Sequence, residues 1–430
     1  MTRTLPALVP VMAAQRPLII ERALLMLGGA FLAVNTAELA LLRGSDWSPW
    51  LTLLVWVGCA FIGQRMLARH LPQRDPLLFP LAMFLSGWGL LVIDRLAPAM
   101  ADRQTVWLIV GVTVMIAAVR TRPLLHWLRR YRYTLLFASL LLLIATIRFG
   151  TNPSGAAGAP TLWIGFAGFY AQPSELLKVM LVAFLASYLS SQLPLLRTGG
   201  HRAVFNLRVL GPLFLMWGVA VVVLVWQRDL GTAVLVFAVF ILLLYIVSGL
   251  ISVLVAGAAM VAAAGLVAYA AFAVVQLRVD IWLNPWPESS DRAYQIVQSL
   301  MAFAAGGVTG QGIGQGAPGF IPVAHSDFVF AALAEEWGLL GIVVVLSFLA
   351  VYVVRALRAG MARRDSPFRT LLAVGLGLLI GVQALLIMGG VLKLVPLTGV
   401  TLPFLSYGGS SLVTSFLITG LLLRVSAPDG

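Results

Sequence analysis

The sequence predicts an all-α polytopic membrane protein, and three observations carry that prediction. Hydrophobic residues make up 60% of the 430 and charged residues 10%, with a mean hydropathy of +0.98. A soluble domain carries about 25% charge and a disordered chain far less apolar material, so both classes are excluded. Apolar runs of about 20 residues, enough to cross a bilayer, recur about 12 times. Finally, the 29 Lys and Arg are distributed unequally between the two ends of these runs. Backbone groups in lipid must be satisfied internally, and a barrel would show short alternating strands instead.

The predicted spans are 23–42, 49–68, 77–97, 104–120, 133–149, 174–193, 205–226, 229–248, 250–276, 327–354, 369–391 and 401–424. Arg3, Arg16 and Arg22 precede the first, and Pro6 and Pro10 break the apolar stretch before it, which predicts a signal anchor rather than a cleaved leader. With a cytoplasmic N-terminus, alternation places 20 of the 29 cations inside and 8 outside, with Lys178 inside a span. That asymmetry follows the positive-inside rule and puts both termini in the cytoplasm. The net charge of +13 is therefore a topology signal, and no nucleic-acid partner is needed to explain it. Cys59 is the only cysteine, so an intrachain disulfide and a thiolate cluster are excluded. His70, His126, His201 and His325 have no metal-ligand spacing. Two outer segments, 150–173 and 277–326, are too long for simple connectors, which directs the search for chemistry to the outer face.

Ionisable groups within spans are costly and point to function. Glu175 and Lys178 lie three apart, on one helical face, as an ion pair or the lining of a polar cavity. Glu38 reads as a packing or interfacial residue. Asp229 opens the eighth span, where a carboxylate can cap the helix or face a substrate. Asp327 stands where the largest outer loop meets the tenth span, level with the head of a lipid-linked substrate. A helix N-terminus should lower its pKa, so a role as base requires burial to offset that effect. Glu335 and Glu336 follow two turns deeper and point to different faces. Gly310–Gly316 looks like a phosphate loop but lacks a βαβ context, leaving a flexible loop or an anion nest. Leu405–Ser411 interrupts the last span with small and polar residues, as close packing or a polar lining requires.

Six stretches in order resemble the SEDS (shape, elongation, division and sporulation) family, the RodA/FtsW-like proteins. They are Gln172–Lys178, Gln227–Thr232, Tyr294–Ser299 with Gly306-Gly307, His325–Ala331, Glu335–Gly338 and Pro396–Ser411. The resemblance implies a ten-helix core from residue 77 to 430, preceded by an extension, residues 1–76, with two extra spans. It implies a peptidoglycan glycosyltransferase that polymerises lipid II into glycan strands at the outer face of the bacterial cytoplasmic membrane. Asp327 matches the family's catalytic aspartate, a general base on the acceptor GlcNAc 4-hydroxyl. Substrate-binding candidates are Glu175, Lys178, Asp229, Arg278, Arg292, Tyr294, Gln295, His325, Ser326, Lys393 and Ser406. A divalent cation, Mg²⁺ or Mn²⁺, would suit the pyrophosphate as a Lewis acid; no metal ligand is identified. The sequence departs from the family at Arg228, Val323 and Ser326, and at Thr161-Leu162 before Trp163, where an arginine is usual.

The implied partners are lipid II, a class B penicillin-binding protein meeting spans ten and eleven, and other proteins of elongation or division complexes. Two other readings share the same polytopic architecture. A lipid II flippase or unrelated carrier would use the intramembrane acids for coupling, and a membrane scaffold would only hold the transpeptidase. The sharpest acid lies at the outer end of a span and no half-length repeat is visible, which favours the enzyme.

Overall fold

The computed structural model describes residues 9–152, 161–166, 169–198, 207–363 and 365–428. Arg3, Pro6 and Arg202, and residues 153–160 of the first long outer segment, lie outside the described residues. Fifteen α-helices are present among them. They are α1 (Val9–Leu42), α2 (Ser48–His70), α3 (Leu78–Leu96), α4 (Pro98–Arg120), α5 (Leu124–Arg130), α6 (Arg132–Phe149), α7 (Pro173–Thr198) and α8 (Leu207–Trp226). Then follow α9 (Leu230–Ser248), α10 (Ile251–Ala271), α11 (Ala273–Leu283), α12 (Tyr294–Gly306), α13 (Val329–Met361), α14 (Pro367–Val391) and α15 (Gly409–Ser426). Eleven of these are long and apolar enough to cross a membrane, and α8 coincides with the remaining predicted span. One departure from an all-helical chain is a hairpin of β1 (Ile164–Phe166) and β2 (Phe169–Ala171), with Gly165 opposite Tyr170.

The centre of the bundle is built from α3, α7, α14 and α15. Helix α3 is buried along nearly its whole length, whereas α10 leaves most of its residues exposed to the surrounding phase. Glycines set the closest helix approaches. A methyl group at Gly420 would come within 2.9 Å of the Met115 carbonyl, and one at Gly409 within 2.2 Å of the Trp107 ring nitrogen, so α15 lies hard against α4.

The last span begins at Gly409 rather than at 401. Residues 400–408 form an irregular segment whose Ser406 hydroxyl is donated to the Ser326 carbonyl (2.6 Å) and accepts from Leu402 N–H (2.9 Å). Irregular backbone is tolerated at this depth because the surrounding helices satisfy it. The outer segment 277–326 is likewise not structureless. It carries α11, α12 and two short 3₁₀ turns, and α12 buries Ile296, Val297, Ser299 and Ala302.

Helices α1 and α2 flank α3 and α4. Deep at one end of this group, Arg74 donates to both Glu21 oxygens at 2.7 Å, and both side chains are 1% exposed. At the opposite end Arg43 pairs with Asp94 at 3.0 Å. Trp56 donates its ring N–H to the Met83 carbonyl (2.8 Å) midway.

Candidate active site

Asp327 precedes the first turn of α13, at the end of the outer loop. The Ser326 hydroxyl donates to its Oδ1 at 3.1 Å. Ser326 is itself fixed through its carbonyl by Ser406, and the His325 carbonyl accepts from Tyr407 N–H at 2.8 Å. The His325 and Tyr407 rings meet edge-on at 5.6 Å. The three residues 325–327 are thus pinned to the irregular segment before α15, and Gly399, just ahead of that segment, lies against the Asp327 carboxyl.

Electrostatics at Asp327 differ from the sequence expectation. Burial pushes its pKa up, outweighing the lowering by the Ser326 hydroxyl and the Arg278 charge. A capping site would instead have exposed backbone N–H groups to stabilise the carboxylate, but no cap hydrogen bond forms from its side chain to α13. Desolvation therefore dominates over the helix terminus. Burial also holds His325 below the ordinary imidazole value, keeping it neutral near pH 7.

Arg278 reaches the same region from α11. Its charge acts on both Asp327 and Asp229, while burial lowers its own pKa. Helix α11 is held by two reciprocal bonds at its end: Trp282 donates to the Lys393 carbonyl (3.1 Å), and Lys393 Nζ to the Leu283 carbonyl (3.3 Å). Lys393 thereby anchors the element that carries Arg278. Asp229 caps α9 by accepting from Thr232 N–H at 3.2 Å. Its other oxygen is buried without a hydrogen-bond partner, as is the Thr398 hydroxyl. A methyl group at Gly231 would come within 2.3 Å of the Thr398 carbonyl, so α9 and the 396–400 stretch touch.

Glu175 and Lys178 pair at 2.8 Å inside α7. Lys178, 1% exposed, also donates to Gln383 Oε1 at 3.0 Å, and Gln383 donates to the Thr401 carbonyl at 2.8 Å. The Thr401 and Ser411 hydroxyls lie 2.6 Å apart, and Ser410 accepts from Gln172 N–H at 2.8 Å. Gln104 bridges to the Ser406 carbonyl and Gly408 N–H at 3.4 and 3.3 Å. The stretch 396–411 is thus the hub on which the intramembrane pair and the Asp327 loop both rest.

Sequence reasoning singled out both ends of this network but missed Gln383, Thr401, Gln104 and Thr398. Gln383 had a signal, as a lone amide in the run Leu378–Met388. Thr398 and Thr401 lie within the Pro396–Ser411 stretch, but nothing marked them individually, since hydroxyls in an apolar stretch commonly bond their own backbone. Of the remaining candidates, Arg292 pairs with Glu288 on the exposed surface at 2.5 Å. Tyr294 and Gln295 open α12 and are partly buried. Their contribution to the Asp327 site is not visible in hydrogen bonds among the described residues.

The glycine loop is an anion nest of a particular kind. Its N–H groups serve the chain's own acids: Gly314 donates to Glu336 Oε1 (3.0 Å) and Ala317 to Glu335 Oε1 (2.7 Å). Glu335 and Glu336 both turn to this loop, correcting the expectation that they would diverge. Among the described residues no group of three or more His, Cys, Asp or Glu side chains is placed to hold a metal ion. Asp327 and Asp229 share the field of Arg278, which supplies positive charge there.

The chain and its fold have known relatives. The family model of FtsW, RodA and SpoVE, described as cell cycle protein, matches residues 77–429. A Mycobacterium tuberculosis protein named peptidoglycan glycosyltransferase RodA is 36% identical over 88% of this chain and 84% of its own. One from Mycobacterium leprae with the same name is 34% identical over 97% of this chain and 93% of its own, an alignment that reaches into the residues before 77. Among solved structures, a chain of a peptidoglycan synthase complex that coordinates polymerization and crosslinking superposes with a TM-score of 0.68 at 26% identity, covering 82% of this chain and 97% of that one. The Thermus thermophilus rod shape determining protein RodA superposes with a TM-score of 0.59 at 26% identity, over 82% and 96%. With the ordered motifs, the helical core and a match over most of its length, the chain belongs to the FtsW/RodA/SpoVE family.

Proposed function

We propose that the chain polymerises lipid II into peptidoglycan glycan strands at the outer face of the bacterial cytoplasmic membrane, with Asp327 as general base. The observation that carries this reading is the half-buried Asp327, its carboxyl desolvated by the surrounding protein, at the outer end of a span and within the field of one cation. A carboxylate in water is too weak a base for a sugar hydroxyl, and burial makes this one stronger. Asp327 takes the proton of the acceptor GlcNAc 4-hydroxyl. The oxygen attacks C1 of the donor MurNAc, the C1–O bond to the pyrophosphate breaks, and a β-1,4 link forms with inversion. The undecaprenyl pyrophosphate leaves with its own negative charge, so the site needs cations more than a strong acid. Arg278 supplies one, and preorganised charge of this kind commonly contributes more to lowering the barrier than any other single effect.

The Glu175–Lys178–Gln383–Thr401 chain supports the site from beneath by holding the 396–411 stretch rather than by meeting the sugar. This closed pairing also argues against a carrier, whose coupling acids must be free to exchange protons or ions. A class B transpeptidase is the proposed partner. The outward faces of α13 and α14, with Leu339, Val343 and Leu385 exposed, are available to its membrane helix. Both termini are proposed to be cytoplasmic. No step in this scheme is routed through a divalent ion.

The test is polymerisation of labelled lipid II by the purified chain in proteoliposomes, with and without a cognate transpeptidase, in Mg²⁺, in Mn²⁺ and in EDTA. Glycan strands from the wild type that fall by about 10²–10⁴-fold in Asp327→Asn, with the fold retained, are the expected result. Unchanged synthesis in that variant removes Asp327 from the chemistry.

A further inference from the structure

Helix α13 is not continuous. Gly338 lies at φ 63° and ψ −163°, and the ladder opens there. Leu339 and Leu340 give their N–H groups to the Gly307 and Val308 carbonyls (3.0 and 3.1 Å). The carbonyls released one turn earlier, those of Glu335 and Glu336, accept from Gln311 and Gly312 (2.9 and 3.0 Å). The outer loop is therefore inserted into the helix that follows Asp327. The two carboxylates then reach past this ladder and hold Gly314 and Ala317. Arg95 at the end of α3 pairs with Glu336 at 3.2 Å.

The N-terminal helix pair meets the same spot. A methyl group at Gly314, which has a φ of +72°, would come within 2.7 Å of Leu42 Cδ1 at the end of α1. One residue before the break, Trp337 donates its ring N–H to Asn35 Oδ1 of α1 at 3.3 Å and packs edge-on against Trp88 at 5.6 Å. Both α1 and α2 precede the region the family model matches.

We propose that Glu335 and Glu336 are positioning residues that clasp the glycine loop onto α13, and that α1 closes the clasp from outside through Leu42 and Asn35. The loop runs from Gly307 to Asp327, and its middle is held to the helix that begins at its end. Fixing that middle fixes the approach to the carboxyl of Asp327. Helix α1 thereby tunes the rate of a site it does not enter. The catalytic part of this inference rests on the polymerase reading, but the clasp does not.

The test pairs turnover with amide exchange on the full-length protein in nanodiscs. Glu336→Ala is expected to lower kcat roughly 10–100-fold with KM within about threefold, the size a misplacement of about 1 Å produces. Glu336→Gln keeps an acceptor for Gly314 and retains most of the rate. Asn35→Leu lowers kcat by about threefold or more through α1 alone. Exchange at residues 311–317 speeds up about tenfold in Glu335→Ala and Glu336→Ala, and less in Asn35→Leu. Wild-type exchange at 311–317 in all three overturns the clasp. A Gln variant as impaired as Ala overturns the acceptor role, and Asn35→Leu and Leu42→Ala both at wild-type kcat and exchange overturn the part played by α1. A wild type that makes no glycan refutes the polymerase reading, and the exchange measurement then still decides on the clasp. If Glu336→Ala fails to fold, the Gln and Asn35→Leu comparisons carry the decision.

Discussion

On the proposed reading, the pH range of activity follows from the balance between the burial of Asp327 and the charge of Arg278. Burial raises the Asp327 pKa and Arg278 lowers it, with burial prevailing. A general base works only when ionised, so the acidic limb of the kcat/KM profile should lie above the ordinary carboxylate range. Arg278→Gln removes the lowering influence, and the acidic limb should move to higher pH. A profile that stays put would show that Arg278 does not act on this carboxyl. The residue-level reading of the sequence located Asp327 through its place at the end of the outer loop and its match to the family's catalytic aspartate, yet it misjudged the sign of the shift. A helix N-terminus is visible in a sequence, whereas the protein that packs around a carboxyl from Gly399 and Ser326 is assembled only by the fold. Lys178 shows the converse. Its spacing from Glu175 announced the pair, and only Gln383, 205 residues away, was out of reach. Lys178→Met leaves Glu175 charged and unpaired in the core and should cost about 3–5 kcal/mol of stability. The loss would appear as a lower Tm in detergent, and Lys178→Met with Glu175→Leu should recover part of it.

At the scale of elements, the breaks in helices matter more than the helices. The period and length of the apolar runs sufficed to place α2, α3, α7 and α14 within a few residues. They did not suffice where a run continues through a change of backbone. The span drawn at 401–424 opens with eight or so irregular residues, because Leu402, Phe404 and Leu405 are apolar enough to pass for helix while being buried. The same holds for α13, which reads as one span although Gly338 divides it. Gly338→Ala is expected to be severe. Its φ of 63° with ψ −163° suits glycine alone, a cost of about 1–3 kcal/mol, and the new methyl group would sit 2.2 Å from Gly310 N. A large drop in Tm or loss of folded protein should follow. A variant of wild-type stability would mean that the ladder can close without the loop. Gly231→Ala probes the other contact, between α9 and the Thr398 carbonyl, and should reduce polymerisation more than stability by displacing the stretch beside Asp327.

For the whole molecule, the charge asymmetry and the position of the site must agree. The cationic ends carry Arg120, Arg122, Arg129, Arg130, Arg355, Arg358 and Arg363, and the opposite ends carry Asp327, Arg278 and the glycine loop. Structural pairings tie the cationic end together: Arg363 donates to the Val425 carbonyl (2.9 Å) and Arg132 to the Ser187 carbonyl (3.0 Å). Polymerisation of an exported substrate requires the Asp327 end to face outward, and the positive-inside rule independently demands the same orientation. Cys59 is buried and the only cysteine, so a Cys59→Ala background is clean for labelling. Ser290→Cys beside α12 should react with a membrane-impermeant maleimide in intact spheroplasts. Arg122→Cys, exposed between α4 and α5, should react only after permeabilisation. The reverse pattern would put the site in the cytoplasm and end the polymerase reading, because the strand would grow on the wrong side of the membrane.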